Sequence, residues 1–185
     1  KINPQEVQRI IKGIPEEVRS QLNNSYATIL NLYEKYKEEI FKIYPLSLHY
    51  FQSRKHEQKE ALRLIEAKLK LLKELGYIYD GKLTQKGEFA KTIYGYELIL
   101  SEAYDQQILE QLDEFGLGII ACAVVFEPRK NQRLPSLSKN SRKIKRICEE
   151  IYSEIKHKEQ RYKIYPLSKP PYFHLGTSIE AWLRG

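Results

Sequence analysis

The sequence predicts a mainly α-helical protein broken by one small β-hairpin, the plan of a winged helix followed by an α-helical bundle. Three observations predict it. Apolar residues recur at helical spacing along most of the chain. One Asp-Gly pair, Asp80-Gly81, lies between short β-prone stretches at 77–79 and 82–84, and Gly accepts the positive φ that a tight hairpin turn needs. The order is two or three helices, a further helix, then the hairpin.

Each element follows in turn. Residues 1–24 contain Pro15 at a helix start with Glu16 and Glu17 in the first turn. From Ser25, SYATILNLYEKYKEEIFKIY puts Ile29, Leu32, Tyr33, Tyr36, Ile40 and Phe41 on one helical face. Pro45 interrupts that helix and LSLHYFQ resumes it briefly. HEQKEALRLIEAKLKLLKELG is the clearest helix. Leu62, Ile65, Leu69 and Leu72 form its stripe, Lys59, Arg63, Lys70 and Lys73 lie off it, and Gly76 stops it.

Past the hairpin, Thr84 caps a helix predicted to run through GEFAKTIYGYELILSEAY. LDEFGLGIIACAVVFE reads as a mostly buried helix ended by Pro128, and 129–140 as a polar loop with Pro135. SRKIKRICEEIYSEIKHKEQRYK is a long amphipathic helix with Ile144, Ile147, Cys148, Ile151 and Ile155 on one face. The loop YPLSKPPYFHLG leads to a last short helix, TSIEAWLRG. Two IYPLS segments do not extend into a repeat. The domain reading is 1–24 as a linker, 25–87 as the winged helix and 88–185 as the bundle.

Composition narrows the function. Charged residues make up 30% and apolar ones 42% of 185 residues, which suits a globular protein with an ionised surface. No apolar run reaches membrane-spanning length, and the N-terminus resembles neither a signal nor a transit peptide. A cytoplasmic piece of a longer protein is the simplest expectation. Cys122 and Cys148 lie in apolar helical contexts and the four His show no ligand spacing, so buried thiols are expected rather than a disulfide or a zinc site. Phosphate-loop, dinucleotide and metallohydrolase motifs are missing. The adjacent pairs Glu16/Glu17, Glu38/Glu39 and Glu149/Glu150 diverge around a helix, which is poor geometry for paired acid–base work. No catalytic residue and no cofactor is expected in this chain.

The net charge of +7 is unevenly placed. The stretch 129–163 holds twelve Lys or Arg against four Glu, a net of +8, whereas 85–127 holds two Lys against eight acids, a net of −6. A concentrated basic segment points to an anionic partner, nucleic acid first. The candidate contacts are Arg129, Lys130, Arg142, Lys143, Lys145 and Arg146, with Asp80, Gly81 and Lys82 at the hairpin tip. Cations at the start of a helix oppose its dipole, so helix stability does not explain them. Most of the fourteen Tyr fall on apolar faces and are read as core rather than as base-stacking platforms.

Four pieces, SYATILNL, LGYI-x-DGKLTQKGEFAKTIYGYELILSE, VVFEPRK and AWLRG, occur here in order. In that order and spacing they resemble the C-terminal region of superkiller-type DExH-box helicases, superfamily 2 enzymes that include exosome-associated RNA helicases. The resemblance covers nearly the whole chain and is most specific from the hairpin through Lys86-Gly87-Glu88 to Glu97-Leu98. The family's Ser-Arg-Phe-x-x-Ser-Tyr exit from its second RecA-like domain is matched at Ser20, Ser25 and Tyr26, with Gln21 and Leu22 replacing the Arg and Phe.

The resemblance implies that residues 1–24 leave a RecA-like domain, that a winged helix connects motor to bundle, and that the bundle closes a nucleic-acid channel. It also implies that ATP and Mg belong to the parent helicase, with single-stranded or partly duplex nucleic acid (RNA favoured) and the RecA-like domains as partners. In the family a further helix with a strand-facing Arg follows AW-x-RG, beyond Gly185. Two other expectations stand beside this one: a free-standing winged-helix regulator of duplex DNA, with base readers on the helix before the hairpin, and a protein-interaction module using the acidic 85–127 region.

Overall fold

The protein is described by a computed structural model over residues 24–185. It is mainly helical, with one antiparallel two-stranded hairpin. The helix start predicted at Pro15 and nearly all of the 1–24 linker lie outside the described residues.

Helix α1 (Tyr26–Tyr36) begins at Ser25, whose hydroxyl accepts the Thr28 N–H at 3.1 Å. It buries Tyr26, Ala27, Ile29, Leu30 and Tyr33. The single helix expected up to Pro45 is broken at Lys37, which turns left-handed at φ 51. Residues 34–39 bury none of their side chains, so packing does not hold the helix straight there, and apolar period alone cannot see the turn. A 3-10 turn (Lys37–Glu39), α2 (Ile40–Ile43) and a second 3-10 turn (Tyr44–Leu46) follow, then α3 (Leu48–Gln52), capped by Ser47.

Helix α4 (Lys55–Glu74) starts where the Arg54 N–H donates to Glu57 Oε2 at 2.6 Å. It stops before Gly76 at φ 75. Leu71 and Lys68 are buried along with Ile65, Leu69 and Leu72, so its inner face is wider than the predicted stripe. Strands β1 (Ile78–Tyr79) and β2 (Lys82–Leu83) pair Ile78 with Leu83 and Tyr79 with Lys82. Asp80 at φ 47 and Gly81 at φ 69 are both left-handed, which matches the strand twist in a two-residue turn.

Thr84 caps α5 (Gln85–Ala90) as expected, its hydroxyl accepting the Gly87 N–H at 3.2 Å. The predicted continuation fails. The chain leaves the helix at 91–96 and restarts as α6 (Glu97–Asp105). Gly95 at φ 111 marks the break. The apolar spacing ran on across it, so periodicity carried the predicted helix too far. A 3-10 turn (Leu109–Gln111), α7 (Glu114–Val125), α8 (Lys139–Arg161), a 3-10 turn (Phe173–Leu175) and α9 (Gly176–Leu183) complete the described chain.

One continuous apolar core runs from Tyr26 to Phe173 and includes side chains from α1, α4, α6, α7 and α8. On α8, Ile144, Cys148, Ile151 and Ile155 are buried as predicted, while Ile147 is half-buried. Gly118 lets Leu183 and Ile179 of α9 close on α7. At that edge Trp182 points outward, 73% exposed. No described helix is long and apolar enough to cross a membrane.

Candidate functional site

The cationic face is built from the head of α8. Ser138 caps the helix, accepting the Ser141 N–H at 3.0 Å, and its hydroxyl donates to Glu180 Oε1 of α9 at 2.9 Å. Gly176 sits so close that a Cβ there would fall 1.7 Å from Ser141 Oγ. The start of α8 is therefore pinned to α9, and this fixes the direction in which its first turns project.

From that anchored end Arg142, Lys143 and Arg146 stand exposed, with no ion pair among the described residues. Lys145 differs: it is half-buried and pairs with Glu149 at 2.6 Å. Arg129 and Lys130 sit exposed on the loop that carries the chain from α7 to α8, with no ion pair among the described residues. That loop is shaped by the Arg129 N–H donating to Gln132 Oε1 at 2.9 Å, and His174 Nδ1 meets the Pro135 carbonyl oxygen at 2.9 Å. Further along α8, an open groove is lined by Arg146, Glu149, Glu150, Glu154, His157 and Lys158. Its acids limit the cationic stretch to the first turns. Asp80, Gly81 and Lys82 are all exposed at the hairpin tip, beside the exposed Tyr79.

Several cations elsewhere are used within the fold, while Arg54, Lys55 and Lys59 around the start of α4 are exposed with no ion pair among the described residues. On α4, Arg63 pairs with Glu60, Lys70 with Glu66 and Lys73 with Glu38, and Lys68 is buried. Lys91 bridges Glu34 and Glu88. The middle and end of the helix before the hairpin thus present no free row of base readers.

The fold also holds two buried polar joints whose pairings the sequence pattern did not show. At the first, the Tyr77 hydroxyl donates to Glu102 Oε1 at 2.9 Å and lies 2.7 Å from Ser101 Oγ. Lys86 reaches Glu102 at 2.7 Å and Asp105 at 3.2 Å, donates to the Leu75 carbonyl at 3.0 Å and lies over the Tyr77 ring. Gly87 permits this closeness, because a Cβ there would meet the Tyr77 carbonyl oxygen at 2.2 Å. Lys86-Gly87 is therefore the element that seats α5 on the turn before β1.

At the second joint, Glu159 of α8 is fully buried. It accepts from the Tyr26 hydroxyl at 2.8 Å, the Ser168 N–H at 2.9 Å and the Ser168 hydroxyl at 2.8 Å. Lys68 lies over the Tyr26 ring and donates to the Asn24 carbonyl at 2.6 Å. Burial lowers the Lys68 pKa, and the charges of Glu159 and Glu97 oppose that shift. Desolvation, then Glu159, drives the Tyr26 hydroxyl far above the usual tyrosine range, so it stays a donor. These groups line a cavity of about 320 Å³ between α1, α4, α6 and α8. A sequence signal existed: Lys68 falls three residues after Ile65 on the α4 stripe, and Glu159 four after Ile155 on that of α8.

A third tie joins the ends of α4 and α8. Glu74 accepts from Lys158, Arg161 and the Tyr162 hydroxyl. Hydrogen bonds from Tyr162, Lys158 and Arg161 hold its carboxyl at about 2. Cys122 and Cys148 are free thiols, and burial pushes Cys148 up to about 11, far from a reactive thiolate. Among the described residues no three His, Cys, Asp or Glu could hold a metal ion.

A family model described as DSHCT (NUC185) domain matches residues 80–185, from the hairpin turn to the end of the chain given. That domain is found in the C-termini of superkiller-type DExH-box helicases. No curated protein matches the chain.

Proposed function

The chain belongs to the DSHCT (NUC185) family, and on that premise we propose that it forms part of the wall of a helicase's nucleic-acid channel. Residues 25–87 form a winged helix whose hairpin, at Asp80-Gly81-Lys82, is the wing. That unit joins the bundle to the RecA-like domains of the parent chain, where ATP and Mg would be bound. The chain itself supplies no catalytic group; it guides single-stranded nucleic acid, RNA before DNA, past the head of α8.

One observation carries this reading. Arg129, Lys130, Arg142, Lys143 and Arg146 are exposed with no ion pair among the described residues, while Arg63, Lys70 and Lys73 of α4, Lys86 of α5 and Lys158 and Arg161 of α8 are consumed by internal pairs. Unpaired cations at a helix start gain nothing from the helix; phosphates give them a partner. Such interactions are tolerant of sequence and sensitive to salt. The pairing and burial of cations along the middle and end of α4 also argue against a reader of duplex base edges on that part of the helix.

The test is a titration of the chain with single-stranded RNA and with duplex DNA at two salt concentrations. Arg142→Ala, Lys143→Ala and Arg146→Ala together should weaken RNA binding and lower the salt slope by about 2, since each phosphate no longer neutralised removes about 0.7. Circular dichroism should be unchanged, since all three side chains are exposed. Unaltered affinity at low salt, or tighter sequence-selective binding of the duplex, would overturn the reading.

A further inference from the structure

One short segment before α4 turns three large apolar side chains to water. Leu46 is 80%, Leu48 69% and Phe51 82% exposed. Leu48 and Phe51 are three residues apart on α3 and so share a face. Apolar residues scattered singly over a surface need no explanation, but a cluster of large ones marks an interaction site.

The segment is held firmly. Ser47 caps α3, the Ser53 hydroxyl donates to the His49 carbonyl at 2.7 Å, and Gln58 Nε2 donates to the Tyr50 and Ser53 carbonyls at 2.8 and 3.1 Å. Underneath, the Tyr44 and Tyr50 rings meet edge to face at 5.9 Å. The platform exists before any partner arrives. Its border at the start of α4 carries a cationic excess: Arg54, Lys55 and Lys59 are exposed and have no ion pair among the described residues. Of the acids between Arg54 and Arg63, Glu57 accepts the Arg54 N–H and Glu60 pairs with Arg63.

We propose that Leu46, Leu48 and Phe51, with Arg54, Lys55 and Lys59 beside them, form a docking surface for an acidic segment of another protein that carries apolar anchors. An apolar centre with a charged rim is the anatomy of a protein interface, and the sign of the rim selects the partner's charge. Nucleic acid fits less well, because two of the three exposed groups are aliphatic and offer no ring for a base to stack on. A second copy also fits less well. Two-fold pairing of the patch with itself would bring the same cations together. Pairing with the exposed Leu117 and Val125 of α7 would bring this rim toward Arg129 and Lys130, which follow α7 in the chain and repel it. The inference does not depend on the channel-wall reading, since it uses different residues.

The probes are three designed peptides. The first is an amphipathic helix with Leu at i, i+4 and i+7 and mostly Glu elsewhere, the second replaces its Glu by Lys, and the third replaces its Leu by Ser. Each is titrated into the isotopically labelled chain, with amide shifts and fluorescence anisotropy as readouts. The acidic, Leu-bearing peptide should bind and shift the amides of Leu46, Leu48 and Phe51. Leu46→Ser with Phe51→Ser should weaken that binding at least tenfold with melting unchanged, because both side chains are exposed. Arg54→Glu with Lys55→Glu should reverse the preference toward the Lys peptide.

Failure of the acidic Leu peptide to bind, or equal binding by the Lys or Ser peptide, would overturn the proposal. So would indifference to Leu46→Ser with Phe51→Ser. Two further results would reassign the surface and equally overturn it: self-association in sedimentation that this double variant abolishes, or oligouridylate shifting the same amides at lower concentration than the peptide does.

Discussion

At Gly87 a single hydrogen atom decides whether α5 can sit against the turn before β1. A Cβ there would meet the Tyr77 carbonyl oxygen at 2.2 Å, a backbone atom with no rotamer to escape through. Gly87→Ala should therefore cost about 3 kcal/mol, the upper range for overpacking, read as a lower urea midpoint. Gly81→Ala meets nothing within 4 Å and is strained only by its φ of 69, so about 1 kcal/mol is expected. Equal losses for the two would refute the distinction. Glu159 makes a second contrast. Glu159→Ala strands the Tyr26 and Ser168 donors and leaves the buried Lys68 ammonium without its neighbour; a loss of about 3–5 kcal/mol is expected. Glu159→Gln keeps an acceptor and should lose clearly less. Neither joint was read from the sequence, because a charged residue on an apolar stripe does not announce its partner. One partner of Glu159, Tyr26, lies 133 residues away.

Elements are packed through their apolar faces, and the added tie between the ends of α4 and α8 depends on pH. The Glu74 carboxyl sits at about 2, held down by Tyr162, Lys158 and Arg161, below its ordinary value of 4.5 in the unfolded chain. Its stabilising effect is therefore fully present above that ordinary value and is lost as pH falls toward 2. Melting of the native chain and of Glu74→Gln, followed from pH 6 to pH 2, should show a gap in Tm that is widest at the upper end and narrows below pH 4.5. A gap that does not change with pH would show that the clamp is not ionic. The elements themselves were largely legible. Spacing predicted α4 and α8, Asp-Gly predicted the hairpin, and Thr84 predicted a cap, because each is a local device. The breaks at Lys37 and Gly95 were not legible, since a change of backbone hand leaves the apolar period intact on both sides.

Across the whole molecule, the apolar core does not divide at the hairpin. Leu72 and Tyr77 before it and Ala90, Leu98 and Ile99 after it are buried in the same cluster. Unfolding of the intact chain should then be one cooperative transition, with far-ultraviolet and tyrosine near-ultraviolet dichroism superimposing; two separated transitions would mean that the regions before and after the hairpin unfold independently. Charge at this scale was half legible: the sequence located the basic stretch, but only the fold separates Arg142, Lys143 and Arg146 from the paired Lys145. The same scale governs what light can report. The chain has one Trp, and Trp182 lies 73% exposed on α9, so its emission is already that of an indole in water while the protein is folded. Heating will scarcely move that spectrum, whereas anything that settles on the outer edge of α9 will shift it to the blue, making Trp182 a poor thermometer and a built-in optical sensor of contact.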